Sequence, residues 1–276
     1  MGLTSAQLDV VDLTSRIGSE IRTDLDTLLS GAEAANIRTI LEHRGVVFFR
    51  GLDITDEQQV AIARTLGAIP PNEGESGIYK ISLDKKVNQR AEYLKGSMFW
   101  HFDGSLQPYP NLATLLRAVK LSDTGGETEF CNTYAAYDDL PSSDKELIAD
   151  LRAVHSAERS QYYVRPEMSF DEITFWQKSP TKACQIVWTH QSGRKSLLLG
   201  ATADYVIGMP VEESRALLAR LRDWATQPQY VYRHLWEPGD LLMWDNTGTM
   251  HRVLEYPVDS GRLMHRTILA GEEPLQ

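Results

Sequence analysis

The sequence predicts a mainly β protein with flanking helices, arranged as an antiparallel sandwich or jelly roll. Three observations carry that reading. Short apolar or alternating runs recur through the last third, at 185–189, 195–199, 230–236, 241–244 and 263–269. Pro238-Gly239-Asp240 separates two of them with the residue types of a tight turn. Helical periodicity instead concentrates early, so the helices are expected to pack outside a sheet core.

Element by element, Ile37, Ile40 and Leu41 share one face of a helix over 34–43, and Gly45 stops it. Val46-Val47-Phe48-Phe49 follows as a short apolar strand. Thr55, with Gln58 three positions on, has the spacing of a capping box and opens a helix that runs to Leu66 and ends at Gly67. The polar stretch 70–97, with Gly74 and Gly77, reads as a long irregular loop, and loops of that length commonly act as lids. Residues 112–121 alternate as a strand, Gly125-Gly126 turns the chain, and 128–131 resumes extended structure. Ser142 or Ser143 is expected to cap a helix reaching about Leu151. A clearer helix over 213–225 places Leu217, Leu218 and Leu221 on one face. No repeat or linker interrupts residues 1–276, so one domain is expected.

With 276 residues, 42% of them hydrophobic and 24% charged, the chain can bury a sizeable core and does not have the composition of a disordered segment. A net charge of −10 argues against nucleic acid, and an anionic ligand would need a local group of arginines. Cys131 and Cys184 are too few for a disulfide framework. The start, MGLTSAQLDVV, lacks the basic and apolar regions of a signal peptide, and Ala6 stands where a myristoylation motif wants Ser or Thr. No apolar run approaches transmembrane length. These features predict a soluble, cytoplasmic protein whose partner is a small molecule, with no nucleic acid and no membrane.

The chemistry concentrates in Trp100-His101-Phe102-Asp103-Gly104-Ser105. In an extended strand His101 and Asp103 point to one face, with Phe102 between them. His251, in Thr-Met-His-Arg, can supply a third ligand if 241–244 lies near that strand and leads into a loop. Two imidazoles and a carboxylate suit Fe, Zn or Mn and leave positions open for substrate. Read alone, a His-x-Asp tripeptide is common, Arg262 is a strand-edge charge and Thr128 an ordinary strand residue. Two other functions stay open here. A non-catalytic jelly-roll protein binding a metal or small acid would leave Arg262, Thr128 and the long loop without a joint role. A Zn-dependent hydrolase would need a general base near the metal, and none is evident.

Taken together the residues resemble the taurine and chlorophenoxyacetate dioxygenase (TauD/TfdA) family of Fe(II)/2-oxoglutarate oxygenases. The matching stretches are Trp100 to Asp103, Gly125-Gly126-Glu127-Thr128-Glu129-Phe130-Cys131, Ala135-Ala136-Tyr137, Leu140-Pro141 and Ser192-Gly193-Arg194-Lys195. Gly239-Asp240, Met243-Trp244-Asp245-Asn246, His251-Arg252, Arg262 and Met264-His265-Arg266-Thr267 complete the set. The resemblance implies a double-stranded β-helix, the cupin-like jelly-roll core. It implies Fe(II) held by His101, Asp103 and His251, with 2-oxoglutarate as cosubstrate and O2 as oxidant. By motif position Arg262 clamps the distal carboxylate of 2-oxoglutarate and Thr128 donates a hydrogen bond to it. A guanidinium fork matches a carboxylate in a way an ammonium cannot.

The implied reaction hydroxylates a small acidic organic molecule and releases succinate and CO2. Where the hydroxylated carbon carries O, N or S, the bond to that atom is cleaved. Halogenating relatives replace the carboxylate ligand by a small residue, so Asp103 favours oxygenation. Arg266 matches the position that holds the substrate's anionic group in taurine dioxygenase-like members, or else supports the 2-oxoglutarate end. Tyr79, Ile81 and Asn88 in the expected lid, and Phe102 beside the ligands, are candidate substrate contacts. Phe102 departs from the small hydroxylated residue common at its position, and both it and Trp100 also fit a core role. Tyr162, Tyr163 and Phe170 form a second aromatic stretch. His155, His190 and His234 do not have ligand spacing, and His234 reads as structural. A homo-dimer or tetramer is implied by the family alone.

Overall fold

All four residues of the strand Val46–Phe49 are buried, which explains why the run is uniformly apolar: its sheet is covered on both faces. In the computed structural model, which describes residues 8–71 and 76–276, this strand sits inside a seven-stranded sheet. Residues 1–7, with the start of the N-terminal motif, and 72–75, with Gly74 of the expected loop, lie outside the described residues. The sheet order is Asp9–Asp12, Ser19–Arg22, Val46–Phe49, Leu241–Asp245, Ala113–Lys120, Leu263–Ile268 and Tyr79–Ile81. Facing it is a three-stranded sheet of Val231–His234, Thr128–Asn132 and Thr249–Val253.

Alternation along the strands assigns the layers. Val47, Phe49, Leu115, Leu241 and Met243 pack against the helices Leu25–Ser30, Ala34–Arg44 and Asp56–Leu66. Val46, Phe48, Leu116, Leu242, Trp244 and Met264 point the other way and meet Phe130 and Tyr232 of the smaller sheet. On that sheet's outer side, Cys131 and Met250 are covered by Ala135 and Ala136 of the helix Thr133–Asp138 and by Leu217, Leu218 and Leu221 of Val211–Ala225. The result is a jelly roll of two facing sheets with helices outside, as the sequence predicts. The candidate metal ligands and Arg262 lie in the space between the sheets.

Local signals hold where the chain is regular. Both arms of the Thr55/Gln58 capping box form, and Gly45 ends its helix at φ 71°, a conformation L side chains rarely adopt. Four expectations are corrected. The helices cluster less early than expected: the unread helices Ala157–Val164 and Phe170–Trp176 follow, and the strands at 9–22 join the same sheet as the late ones. Phe170–Trp176 buries none of its residues. The helix Ser142–Ile148 follows Pro141 without a side-chain cap, so neither serine caps it. The run 185–189 divides at Ile186 into strands of two different small sheets. The stretch 70–97 contains the edge strand Tyr79–Ile81, the helix Ala91–Leu94 and a 3-10 turn at Lys95–Met98. Such short elements draw their stability from what they pack against, which a local window does not contain.

Candidate metal centre and cavity

His101 and His251 face each other across a single antiparallel bridge, each backbone N–H donating to the other's carbonyl at 3.0 Å. The expected ligand strand is therefore one bridged residue, after which Asp103 enters a turn through Gly104. His251 belongs to the strand Thr249–Val253 rather than to a loop after 241–245. The bend still returns Asp103 to the same side. His101 Nε2 lies 3.6 Å from Asp103 Oδ1, and His251 Nε2 lies 3.7 Å from Oδ2. All three ligand atoms fall within 4.8 Å of one another. These separations are too long for good hydrogen bonds but fit three donors sharing one ion. Gly200 allows the close packing behind the bridge: its φ is +114°, and a Cβ there would sit 3.0 Å from the His101 Cα.

The protonation states suit a metal. His101 Nδ1 donates to the Phe99 carbonyl at 2.9 Å, which leaves the Nε2 lone pair facing Asp103. Burial, with a further push from His101, lowers the His251 pKa to about 3, so this imidazole is neutral. Burial raises the Asp103 pKa, but positive charge facing it, on the rings of His251 and His101 in their protonated forms and on Arg266, outweighs burial and holds the carboxyl below its usual range. Phe130 stacks on the His251 ring at 5.9 Å, and Trp244 closes on it at 4.7 Å.

On the other face of the same strand, Arg252 lies over the Trp100 ring at 4.8 Å and donates Nε–H to Glu129 at 2.7 Å. Glu129, 4% exposed, also accepts from Arg233. Trp100, Glu129 and Arg252 adjoin His101, Thr128 and His251 in sequence, so this stack braces the bridge from behind. The sequence reading gave no role to Glu129 or Arg252. Alternation from the named site residues would have found both.

The cluster opens on a cavity of about 410 Å³. Arg262, 4% exposed, reaches into it just before the strand Leu263–Ile268. One guanidinium nitrogen donates to the Gly126 carbonyl at 3.0 Å, the Tyr256 ring lies 4.8 Å below, and Nε has no hydrogen-bond partner. Arg262 forms no ion pair with a carboxylate among the described residues. A buried cation without a counter-charge is costly, so the arrangement suits an anionic ligand. Burial pushes the Arg262 pKa down, and the smaller upward pulls of the Tyr256 hydroxyl and of Glu127 do not restore it. Thr128 also lines the cavity, and its Oγ accepts from Trp236 Nε1 at 3.0 Å. With a donor already on the oxygen, the Thr128 O–H is left to point at an acceptor. Trp236 escaped the sequence reading because it meets Thr128 from beyond the end of the strand Val231–His234, far away in sequence.

Arg266 lines the cavity with Met264 and Arg262, the alternate residues of one extended segment, and its guanidinium lies over the Tyr79 ring at 4.8 Å. Ile81 and Phe102 also face the cavity, although Phe102 is 4% exposed and packs edge-on against Trp188. Tyr79 and Asn88 are not among its lining residues. Asn88 Nδ2 donates to the Tyr79 hydroxyl and the Lys80 carbonyl, bracing the segment instead. Tyr163 packs on Phe99, Phe170 is exposed, and neither they nor Tyr162 reach the cavity. His234 is buried between Tyr232 and Asp240. His190 is held by Ser196 and Glu273, and His155 by Thr202. None of the three approaches the cluster.

A jelly roll with a two-imidazole, one-carboxylate cluster between its sheets belongs to the class of cupin-like proteins with a mononuclear metal centre. The family profile described as taurine catabolism dioxygenase TauD, TfdA family matches residues 9–268, and the chain belongs to that family. It is 36% identical to an alpha-ketoglutarate-dependent 2,4-dichlorophenoxyacetate dioxygenase of Burkholderia sp. (strain RASC), over 92% of this chain and 91% of the relative. An alpha-ketoglutarate-dependent sulfate ester dioxygenase of Pseudomonas putida is 32% identical, over 98% and 91%. Among solved structures, AAD-2 in complex with Mn(II) and N-oxalylglycine superposes with a TM-score of 0.83 at 34% identity, covering 98% of this chain and 99% of that one.

Proposed function

We propose that His101, Asp103 and His251 hold the ferrous ion of a 2-oxoglutarate-dependent dioxygenase that oxidises a small organic acid. Family membership supports the class of enzyme. The observation that carries the residue assignment is the buried Arg262, without a carboxylate partner, beside Thr128 in the cavity that the His/Asp/His cluster opens on. When bound, iron and 2-oxoglutarate supply O2 activation and substrate oxidation, with release of succinate and CO2.

The chain's own residues bind and orient. Arg262 and the Thr128 O–H receive the distal carboxylate of 2-oxoglutarate, while Phe130 and Trp244 keep water from the inner side of His251. Arg266, stacked on Tyr79, takes the anionic group of the substrate, and Ile81, Leu116 and Phe102 shape an apolar wall. The segment 76–98 covers the cavity as a lid, and the chain works as one catalytic domain. Where the oxidised carbon bears O, N or S, the hydroxylated product collapses with cleavage of that bond. Two free, buried cysteines fit a cytoplasmic location. The charge of −10 fits a small-molecule partner rather than nucleic acid, and a homo-oligomer accords with the family. No helix among the described residues is long and apolar enough to cross a membrane.

Hydrolysis on zinc fits less well. Among the described lining residues the cavity offers no carboxylate beyond Asp103 and no third imidazole to serve as a base. The testing experiment is an anaerobic titration of the metal-free protein with Fe(II) and then 2-oxoglutarate. A weak metal-to-ligand charge-transfer band in the visible is expected. Iron binding without the band would remove the 2-oxoglutarate reading and bring the hydrolase forward.

A further inference from the structure

One wall of the cavity comes from the helix Ala157–Val164 and the 3-10 turn Lys95–Met98, which contribute Ser160, Gln161, Gly96 and Ser97. Gln161 is 5% exposed. Its backbone carbonyl accepts from Arg165, but neither atom of its side-chain amide has a hydrogen bond among the described residues. The hydroxyl protons around it are already placed: Ser97 donates to the Leu94 carbonyl at 2.6 Å and Ser160 to the Ala157 carbonyl at 2.7 Å. Ser105 and Thr202 bond to each other at 3.0 Å, and Thr202 to His155 at 2.9 Å. Gln161 is thus a neutral side chain on this wall with both a donor and an acceptor unmet. A buried amide is costly unless paired, and a purely hydrocarbon or halogenated ligand in contact with it would leave it unpaired.

We propose that Gln161 is a specificity-determining residue, and that the substrate is an organic acid whose body carries a neutral hydrogen-bonding group, a hydroxyl or carboxamide, to meet it. The inference rests on the oxygenase reading above and adds the chemistry at the substrate's other end. Arg266 receives the acid and Gln161 reads the neutral group.

The test uses the full chain loaded anaerobically with Fe(II) and 2-oxoglutarate. Phenoxyacetate and its ring-hydroxylated and ring-carbamoylated isomers are titrated while the visible band is followed. The band must form before any acid is added, so failure of the broader reading is seen separately. At least one polar isomer is expected to bind about tenfold more tightly than phenoxyacetate, the effect of one well-made hydrogen-bond pair. Gln161→Leu should erase that preference, with phenoxyacetate bound at least as tightly as by the wild type because no amide is left unpaired, and with 2-oxoglutarate binding unchanged. A wild-type panel in which no polar isomer is preferred overturns the proposal without any variant, and so does a preference that survives Gln161→Leu.

Discussion

The Thr128 hydroxyl can donate or accept, and the Trp236 indole N–H removes half of that freedom by occupying the oxygen. Trp236→Phe therefore acts through Thr128 and not on the metal. We expect it to weaken 2-oxoglutarate binding about fivefold, the net worth of one hydrogen bond, with Fe(II) affinity unchanged. Thr128→Val should do the same, and the double variant should be no weaker than Thr128→Val. Additive losses in anaerobic titration would separate the two residues. Arg262→Lys keeps the charge but loses the fork, so the 2-oxoglutarate requirement should rise more than the iron requirement. An unchanged requirement would move the clamp to Arg266. Asp103→Ala should abolish succinate formation while thermal unfolding stays nearly unchanged, and full activity would sink the triad. At this scale His101, Asp103, His251, Arg262 and Thr128 were legible as candidates through the family resemblance, and the structure brings them to one cavity. Gln161 and Trp236 were not legible, because an isolated Gln or Trp carries no periodicity and each acts through a contact far away in sequence.

Elements position these side chains through backbone geometry that few residues tolerate. Gly126, at φ +83°, turns the chain between the two sheets, and a Cβ there would stand 2.8 Å from Arg262 Nε. Gly126→Ala should cost about 1–2 kcal/mol of stability from the left-handed conformation. It should also weaken 2-oxoglutarate binding, because the Arg262 guanidinium must move. Wild-type 2-oxoglutarate affinity in a destabilised Gly126→Ala protein would show that Arg262 does not need this seat. The Gly125-Gly126 turn was legible as a turn, and Thr55/Gln58 as a capping box, because both are written within a few residues. The strand Tyr79–Ile81 was read as loop: three residues gain their place by pairing with Leu263–Ile268, a partner the local window does not hold.

Across the whole molecule, burial sets the response to acid. Desolvation first, then Lys182 and Arg194 respectively, lower the pKa values of His155 and His190 to about 4. In the unfolded chain both lie near the ordinary value of about 6.5, so below that pH the unfolded state binds more protons than the native one. Their contribution to stability is full above about pH 6.5 and drains as pH falls toward 4, by up to about 1.4 kcal/mol per imidazole per pH unit. Denaturant unfolding of the protein at about pH 7 and about pH 5 should show the midpoint falling. His155→Gln and His190→Gln should flatten that fall even though each lowers the starting stability. A midpoint independent of pH over this range would mean that neither ring is buried neutral.

The order of turns, caps and apolar runs pointed to a jelly roll with outer helices, and the motif stretches that resemble the TauD/TfdA family pointed to the chemistry. Both are encoded in short-range patterns, periods of two and 3.6 residues and motifs of a few positions. Other features came from folding alone: the single bridge that sets His101 against His251, the Trp100–Arg252–Glu129 brace behind it, and the burial of Arg262 with no carboxylate ion pair among the described residues. So did the unmet amide of Gln161. These depend on which strands meet and on what is left out of contact when they do. Burial and the absence of a partner are properties of the packed chain, so no window of sequence records them.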